Sequence, residues 1–340
     1  MIIIVSLALL VASAFITRQL VMNSHRFSQM DIPNERSSHQ TPTPRGGGLS
    51  FVATSIVGFL LLTLNDTIDR ADLLALCCAG IIVAIAGHLD DRQKISGATI
   101  RLGFHALGAI ILIVGIGFPS QISLFDRTVD TGIIGSILGV LYLVWLLNLF
   151  NFMDGTDGIA AIEAIFVCIA GAILNYHVLS DINFSAPSII LATSTFGFLL
   201  YNWAPAKIFM GDIGSGYLGI AIGGLSLVAA KQQHELLWVW IILLGVFVSD
   251  ATVTLIRRLL QKQKPHVAHR SHAYQHLAIR LDSHANVALL ALAVNIAWLL
   301  PIAFLVADKQ LAGTTGVIIA YVPLLIAALA FGAGKDSATS

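Results

Sequence analysis

The chain has few charged residues and no excess of either sign. Asp, Glu, Lys and Arg make up 11% of its 340 residues, and the formal net charge is zero. About a quarter of the residues in soluble domains are charged, so the composition argues against a soluble fold. The lack of excess positive charge also argues against nucleic acid as a partner. With 56% hydrophobic residues and a mean hydropathy of +0.84, the sequence predicts an integral membrane protein.

Cysteine is also scarce. The three cysteines, Cys77, Cys78 and Cys168, lie inside apolar runs and show no C-x-x-C spacing. Such residues behave as small buried hydrophobic groups, so we expect neither a disulfide framework nor a cysteine metal site.

The N-terminus lacks the positive charge that begins a secretory signal peptide. No basic residue precedes Ile2, and the first one, Arg18, follows the apolar run. This polarity predicts a first membrane helix with its N-terminus outside, rather than a cleaved signal.

Long apolar runs, by contrast, recur along the whole chain. A membrane-spanning helix needs about 20 predominantly apolar residues. Eleven segments approach that length, and we predict one polytopic all-α membrane domain over residues 1–340. The predicted spans are residues 2–22, 46–64, 71–88, 101–118, 132–148, 158–176, 186–203, 213–230, 236–257, 285–306 and 315–333.

Basic residues divide unevenly between the two sides of these spans. With the N-terminus outside, the outer segments hold four of the nineteen Lys and Arg residues, and the inner segments hold fifteen. The four are Arg70, Arg127, Lys231 and Lys309. The positive-inside rule therefore predicts an outer, periplasmic N-terminus and a cytoplasmic C-terminus.

The same alternation collects the polar motifs in the inner loops. The most prominent is Asn148-Leu-Phe-Asn-Phe-Met-Asp-Gly-Thr-Asp-Gly158, an acidic and amide-rich stretch between two apolar runs. In helical conformation Asn148, Asn151 and Asp154 would lie along one side. Polar groups near membrane depth usually line a water-filled cavity, so we expect this stretch to form part of a site. The other inner motifs are Thr41-Pro-Thr-Pro-Arg-Gly-Gly-Gly48, Asp90-Asp91-Arg-Gln-Lys94, Met210-Gly-Asp-Ile-Gly-Ser215 and the histidine-rich segment 265–284.

The residue types in these motifs suit a hard cation and a phosphate substrate. Mg²⁺ usually takes one or two carboxylates together with substrate phosphates, and basic side chains oppose phosphate charge. The two glycine segments 46–48 and 211–214 are expected to offer backbone N–H groups to an anion, although the first is equally consistent with a flexible entry to a helix. The candidate carboxylates are Asp90, Asp91, Asp154, Asp157 and Asp212, and the candidate bases are Arg45, Lys94, Lys207 and Arg270.

Three alternatives remain open at this point. The histidines could suggest zinc, but His266, His269, His272 and His276 do not have the spacing of a closed ligand set. Asp250, inside the ninth predicted span, is either a site residue or a hydrogen-bonding partner of a neighbouring helix. Eleven spans with buried acids would also suit a cation-coupled transporter.

Four motifs in this order carry a family resemblance: T-P-T-P-R-G-G-G, D-D-x-x-K, N-x-x-N-x-x-D-G-x-D-G and F-M-G-D-x-G-S. Over about residues 31–284, the chain resembles the polyprenyl-phosphate N-acetylhexosamine-1-phosphate transferases, which include the enzyme that makes lipid I. The resemblance implies a multi-pass enzyme of the bacterial inner membrane, with a site formed by cytoplasmic loops. Its implied reaction transfers N-acetylhexosamine-1-phosphate from a UDP-sugar to undecaprenyl phosphate and releases UMP. Residues 285–340 would supply the last two spans and a tail.

The resemblance also implies roles for individual residues. Asp212 would be the principal ligand of Mg²⁺, with Mn²⁺ as a substitute. Asp90 and Asp91 would lie next to the acceptor phosphate, with one of them orienting it or taking its residual proton, and Lys94 closes their motif. The expected pocket for uridine and pyrophosphate contains Asn151, Asp154 and Asp157, with Asn202 and Thr43 nearby. Arg45, Asn148, Arg270 and His272 complete the expected substrate-binding set.

One motif departs from the family pattern. Members commonly carry His-x-His-His in the ninth inner loop, whereas this chain has His269-Arg-Ser-His-Ala-Tyr-Gln-His276. Tyr274 and Gln275 replace the later histidines, which argues against a muramyl-pentapeptide donor and resembles the O-antigen-initiating branch. The sugars of that branch are N-acetylglucosamine (GlcNAc), N-acetylfucosamine (FucNAc) and N-acetylquinovosamine (QuiNAc). The sequence does not decide among them, nor whether the chain forms a homodimer.

Overall fold

The chain folds into a bundle of apolar helices joined by short loops. A computed structural model describes residues 2–24, 29–33, 41–64, 68–94, 97–125, 127–263 and 269–335. His266, considered above as a zinc ligand, lies outside these residues. The helices are α1 (Ile2–Met22), α2 (Leu49–Leu62), α3 (Arg70–Asp91), α4 (Ala98–Gly115), α5 (Gly132–Met153), α6 (Ile159–Leu179), α7 (Ala186–Asn202), α8 (Asp212–Gln232), α9 (Glu235–Leu243), α10 (Gly245–Leu260), α11 (Ala273–Leu281), α12 (His284–Val294), α13 (Leu300–Ala307) and α14 (Gly313–Ala330).

Strands are few in the described residues and form two small antiparallel pairs. Strand β1 (Gln29–Asp31) pairs with β2 (Thr43–Arg45), and β3 (Gln121–Leu124) pairs with β4 (Arg127–Asp130). The predicted all-α membrane fold is therefore confirmed, with β2 as the strand that bears on the site.

The helices correspond closely to the predicted spans. Nine helical segments in the described residues are long and apolar enough to cross a membrane, and the pair α9 and α10, bent by 71°, makes a tenth candidate if it is counted as one span. A turn of π-helix at Asn295–Leu299 joins α12 to α13 within one segment. The remaining predicted span, 46–64, contains only the 14 residues of α2. At 1.5 Å per residue α2 extends about 21 Å, which is short of the roughly 30 Å hydrocarbon layer.

Helix α8 is the centre of the bundle. Every residue from Ile213 to Ala230 is buried, whereas α4 buries only Gly108, Ala109 and Leu112. A helix that is apolar on all sides is expected to be enclosed by protein, and the many Gly and Ala residues of α8 let its neighbours approach closely. Helices α3 and α5 pack most extensively against it. The first residue of this central helix is Asp212, so the core of the fold fixes the position of that carboxylate.

Candidate active site

Asp212 lies between two arginines at the N-terminus of α8. Arg45, from β2, donates from Nη2 to Oδ1 of Asp212 at 2.5 Å. Arg101, in the first turn of α4, places Nη1 3.6 Å from the other carboxylate oxygen of Asp212 and 2.9 Å from Oδ2 of Asp90. Asp90 is in turn in side-chain contact with Asp212. Strand β2 and three helices therefore bring two carboxylates and two guanidinium groups into one cluster.

Asp91 has a different environment from Asp90, although the two are adjacent in sequence. Its Oδ1 accepts a hydrogen bond from the backbone N–H of Asp212 at 2.9 Å, and its Oδ2 accepts one from the N–H of Ile213 at 3.1 Å. Nε of Arg45 also lies 2.9 Å from Oδ1 of Asp91. The first N–H groups of a helix have no partner within the helix, so a carboxylate there is stabilising. Asp91 thus caps α8 and holds Asp212 in place.

A glycine in α3 makes this approach possible. A Cβ atom at Gly87 would collide with the backbone carbonyl of Asp212, so a larger residue would push α3 away from the start of α8. Because Gly87 comes one helical turn before Asp90 and Asp91, it sets the distance between the acid pair and Asp212.

The glycine N–H groups that were expected to face an anion are instead used within the protein. The N–H groups of Gly46 and Gly47 donate to the carbonyl of Phe209 at 3.1 and 2.9 Å, and that of Gly48 donates to the carbonyl of Met210 at 2.9 Å. At the other segment, Gly214 donates to the carbonyl of Gly211 at 3.0 Å, next to the two N–H groups that Asp91 accepts. The phosphate-cradle prediction was therefore wrong for both segments. The hydrogen bonds of the first segment join the β2 loop to the loop before α8.

More acidic than basic groups surround Arg45. Burial lowers the pKa of its guanidinium, but the carboxylates of Asp212, Asp91 and Asp154 outweigh that effect and raise the pKa above its usual value. Burial raises the pKa of Asp154 well above the usual range, Arg45 opposes this shift, and Asp212 and Asp91 add to it. The excess of acid over base leaves the cluster suited to a further cation.

Helices α3, α4, α5 and α8 enclose a cleft of about 180 Å³ beside this cluster, here called the membrane cleft. Its walls include apolar residues such as Ala98, Leu102 and Phe152. Its polar residues are Asp90, Arg101, His105, Asn148, Asn151 and Asp212. Asn148 and Asn151 thus line a cleft, as expected for polar groups near membrane depth, and Asn151 donates to Oγ of Ser215 at 3.2 Å. Asn151 does not, however, share a cleft with Asp154 and Asp157, with which the resemblance had grouped it.

Arg101 and His105 were not among the predicted site residues. Both lie on one face of α4, four residues apart, and both line the membrane cleft. A sequence signal was present, because two basic side chains at this helical spacing open an otherwise apolar predicted span. Lys94, predicted to close the acid motif, is instead exposed and does not line the membrane cleft.

A second and more polar cleft, of about 650 Å³, lies among the loops and is called the loop cleft. Thr43, Asp157 and Arg270 of the predicted set line it, together with Phe209 and His284. The five predicted catalytic acids therefore do not surround one cavity. Asp90 and Asp212 line the membrane cleft and Asp157 lines the loop cleft, whereas Asp91 and Asp154 line neither.

The loop that carries Asp154 and Asp157 is not helical, because α5 ends at Met153. The predicted helical stripe thus ends at Asn151. Asp157 accepts a hydrogen bond from the backbone N–H of Ala206 at 3.1 Å. Asn202, predicted to contact the nucleotide, is buried, accepts from the N–H of Gly158 at 3.1 Å and donates to the carbonyl of Ile208 at 2.9 Å. Its amide joins the two loops and lines neither cleft.

Asp250 forms hydrogen bonds with the histidine-rich segment. Of the two interpretations of this residue, the structure therefore favours the hydrogen-bonding role. Its carboxylate accepts from the backbone N–H groups of Ala273 at 3.0 Å and Tyr274 at 2.9 Å, and lies 3.2 Å from Nδ1 of His272. Asp250 therefore caps α11 as Asp91 caps α8. The Tyr274 hydroxyl then donates to the carbonyl of Phe152 at 3.1 Å, in the wall of the membrane cleft.

The rings of His269 and His272 stack, with centroids 5.0 Å apart. Burial, with the nearby His272 and Arg258, lowers the pKa of His269 to about 3, so this imidazole is neutral at pH 7. The imidazole of His272 is buried and lies next to Asp250, whereas that of His269 is half-buried and bonds to Ser271, so both rings have partners within the protein.

No group of three or more His, Cys, Asp or Glu side chains in the described part of the chain is arranged to hold a metal ion. Mg²⁺ does not need such a set, because it commonly takes one or two carboxylates and completes its coordination with water and substrate phosphate. Asp212 and Asp90 satisfy this requirement, since their carboxylates are in contact and both line the membrane cleft. The two carboxylates are thus compatible with a hard cation, which prefers oxygen ligands.

Comparison with known proteins assigns this arrangement to a family. The family model for glycosyl transferase family 4 matches residues 73–230, from the first turn of α3 to the last turn of α8. A probable undecaprenyl-phosphate N-acetylglucosaminyl 1-phosphate transferase of Bacillus subtilis (strain 168) is 30% identical over 260 residues, or 73% of this chain and 71% of the relative.

Two further relatives have different substrates in their names. A decaprenyl-phosphate N-acetylglucosaminephosphotransferase of Mycolicibacterium smegmatis is 28% identical over 315 residues, or 84% of this chain and 77% of the relative. A phospho-N-acetylmuramoyl-pentapeptide-transferase of Nautilia profundicola is 27% identical over 252 residues, or 66% of this chain and 68% of the relative.

The fold and the cluster of acids and arginines define a multi-pass membrane enzyme of sugar-phosphate transfer. The chain belongs to glycosyl transferase family 4, within the polyprenyl-phosphate N-acetylhexosamine-1-phosphate transferases. The family resemblance stated from four sequence motifs is thereby confirmed. The relatives give no support to the transporter alternative.

Proposed function

We propose that this enzyme transfers N-acetylhexosamine-1-phosphate from a UDP-sugar to undecaprenyl phosphate in the bacterial inner membrane. The observation that carries the proposal is that residues of strand β2 reach two unlike clefts. Arg45 bonds to Asp212, which lines the membrane cleft, and Thr43 of the same strand lines the loop cleft. A reaction between a lipid acceptor and a water-soluble donor needs such a meeting point.

The membrane cleft suits the acceptor phosphate. Helix α4, which forms one of its walls, is the least buried of the long helices and exposes Ala98 and Leu102. A substrate with an isoprenoid tail can therefore reach Asp90 and Arg101 sideways from the bilayer, without leaving the hydrocarbon layer.

The loop cleft suits the donor. It is several times larger than the membrane cleft, and its lining has polar and charged side chains from Thr43, Asp157 and Arg270. Its lining includes Arg270, a residue type whose planar guanidinium matches phosphate oxygens. We assign the uridine diphosphate portion of the donor to this cleft, with Asp154 and Asp157 in the loop beside it.

The proposed reaction is a direct displacement. An oxygen of the acceptor phosphate forms a bond to the β-phosphorus of the UDP-sugar, and the bond from that phosphorus to the UMP oxygen breaks. Asp90 orients the acceptor and takes any residual proton, because it faces the membrane cleft while Asp91 is occupied with α8. When bound at Asp212, Mg²⁺, or Mn²⁺ in its place, would neutralise charge on the diphosphate.

Phosphoryl transfer depends mainly on positioning and on charge neutralisation. The protein provides positioning because Asp91 and the buried helix α8 hold Asp212 in place. It provides charge neutralisation because Arg45 is paired with the carboxylate of Asp212. The products are UMP and undecaprenyl-diphospho-sugar, which would begin an O-antigen or another cell-envelope polysaccharide.

The donor sugar is proposed to be an N-acetylhexosamine without a peptide. Tyr274 and Gln275 stand where family members carry histidines, and Tyr274 is used to join α11 to the wall of the membrane cleft. Two relatives are named for N-acetylglucosamine transfer, which makes UDP-GlcNAc the first donor to test, ahead of UDP-FucNAc and UDP-QuiNAc.

The test is UMP release by the purified full-length protein with undecaprenyl phosphate and Mg²⁺. The donors are UDP-GlcNAc, UDP-FucNAc, UDP-QuiNAc and UDP-N-acetylmuramyl-pentapeptide, with undecaprenol as the matched acceptor that lacks a phosphate. We expect release with one of the three hexosamines, lost with undecaprenol and after addition of EDTA. Release with the pentapeptide donor alone would overturn the proposed specificity, and no release with any donor would overturn the reaction.

A further inference from the structure

We propose that Arg101 and His105 of α4 bind the phosphate of the lipid acceptor. This inference rests on the proposed function, because it names the groups that recognise the acceptor in the membrane cleft. The acid motif and its Lys94 had been expected to supply that contact. The geometry points instead to the first two turns of the next helix.

Arg101 is the cation that faces both acids of the membrane cleft. Its Nη1 lies 2.9 Å from Asp90 and 3.6 Å from Asp212, and 36% of its side chain remains exposed. The guanidinium has five N–H donors, so contacts through Nη1 leave donors for a phosphate. Arg45 is less suited to this task, because it bonds to Asp91 through Nε and to Asp212 through Nη2.

His105 supplies a second polar group on the same face of α4. Residues four apart on a helix are neighbours, with Cβ atoms about 6 Å apart. His105 lines the membrane cleft, and its Nδ1 is enclosed by protein, without a hydrogen-bond partner among the described residues. A hydrogen bond from His105 to a ligand in the cleft would therefore use Nε2, the other nitrogen of the ring.

Charge balance requires a cation at this position. A phosphate monoester is mostly dianionic at pH 7, and here it would approach Asp90 and Asp212, which are themselves acidic. Lys94 and Arg92 are exposed and do not line the membrane cleft, so they are not placed to offset that repulsion. Arg101 is within reach of both acids and forms part of the cleft wall.

The positions of Arg101 and His105 also suit a phosphate that carries a lipid tail. Arg101 and His105 follow Ala98 and precede Leu107 on a helix that is largely exposed, so a tail leaving the phosphate lies along an apolar surface. Arginine retains its charge in a partly buried site and binds phosphate through two parallel N–H groups. The pair therefore recognises a phosphate at the membrane edge.

The test measures binding of undecaprenyl phosphate and of undecaprenol to the purified full-length protein in detergent, with no UDP-sugar present. The variants are Arg101→Gln, Arg101→Lys and His105→Ala, with Arg92→Gln as the matched control on the same side of the protein. A charged hydrogen bond contributes about 1.5–3 kcal/mol, so Arg101→Gln should weaken phosphate binding by about tenfold or more. Undecaprenol binding should not change, and Arg101→Lys should recover part of the loss.

Two results would overturn the inference. One is an Arg101→Gln protein that binds undecaprenyl phosphate as tightly as the Arg92→Gln control. The other is an equal loss for undecaprenyl phosphate and undecaprenol, which would indicate a structural role for Arg101. If Arg101→Gln does not fold, Arg101→Lys and His105→Ala are judged by the same comparison.

Kinetics separate this inference from the proposed function. In UMP release, Arg101→Gln should raise the KM for undecaprenyl phosphate by about tenfold and leave the KM for the UDP-sugar unchanged. An unchanged KM for undecaprenyl phosphate in an active Arg101→Gln variant would contradict the role of Arg101 but not the proposed reaction. Arg101-dependent binding of undecaprenyl phosphate by a protein that releases no UMP would contradict the proposed reaction alone.

Discussion

The carboxylate of Asp91 accepts a hydrogen bond from the backbone N–H of Asp212 at 2.9 Å, across 121 positions of sequence. Asp90, the residue before it, faces the membrane cleft and pairs with Arg101. Two adjacent carboxylates thus have separate tasks: one holds the helix that carries Asp212, and the other is open to a substrate.

This division predicts different effects for two like substitutions. Asp91→Asn should lower the Tm, because an amide N–H would face a backbone N–H at the start of α8, and loss of a helix cap costs about 1 kcal/mol. It should also weaken activation by Mg²⁺ through a displaced Asp212. Asp90→Asn should leave the Tm near the wild-type value and lower kcat by about 100-fold or more.

Thermal unfolding and Mg²⁺ titrations of UMP release measure both effects in detergent. Equal Tm values for the two variants, or a stable Asp91→Asn protein with a normal Mg²⁺ response, would contradict the assigned roles.

The cap on α11 gives a second prediction. Asp250→Asn should lower the Tm and the rate together, because one amide cannot accept from the N–H groups of both Ala273 and Tyr274 and also bind His272. Asp308→Asn is the control, since Asp308 pairs at the surface with His177 and is far in sequence from the site. We expect the Tm of Asp250→Asn to be a few degrees below that of Asp308→Asn. Equal Tm values would contradict the role of Asp250 as the cap of α11.

Gly155 and Tyr274 are close enough to be coupled. A Cβ atom at Gly155 would collide with the Tyr274 hydroxyl, so Gly155→Ala should destabilise the loop between α5 and α6. Removing that hydroxyl with Tyr274→Phe should relieve the collision and make the double variant more stable than the sum of the single effects. Interaction energies of about 0.5–3 kcal/mol are typical for residues in contact. A double-variant cycle of Tm values that is additive would show that the two residues do not meet.

The orientation in the membrane is predicted from charge alone and is directly testable. In a chain without its native cysteines, Lys309→Cys should react with a membrane-impermeant maleimide in intact cells, whereas Lys94→Cys should react only after the membrane is opened. The reverse pattern would place the site on the outer side.

The sequence predicted the positions of the long apolar helices, because the length of apolar segments is set by the bilayer. It did not show that the segment 46–64 contains a helix of only 14 residues. It also singled out Asp90 and Asp212, which line one cleft, since acidic residues near membrane depth stand out against an apolar background. It could not show that Asp91 and Asp250 cap helices, because each carboxylate meets N–H groups from another part of the chain.

Two further errors have the same origin. The N–H groups of Gly46 to Gly48 were expected to face an anion, but their partners are carbonyl groups of Phe209 and Met210, more than 160 residues away along the chain. Arg101 was counted only as a loop charge, although the packing of α4 against α3 brings it to Asp90. Contacts between distant segments decide which polar groups remain available to a substrate.

The most direct test of the account follows the β-phosphorus of the donor. Wild-type protein is given UDP-GlcNAc, or the active donor, with ³²P in the β-phosphate, together with undecaprenyl phosphate and Mg²⁺, and the lipid and water phases are counted. The label is expected to enter the lipid while unlabelled UMP is released, and a folded Asp212→Asn protein is expected to move no label. Label that stays in the water phase as UDP, while the sugar enters the lipid, would contradict transfer of a sugar phosphate at this site.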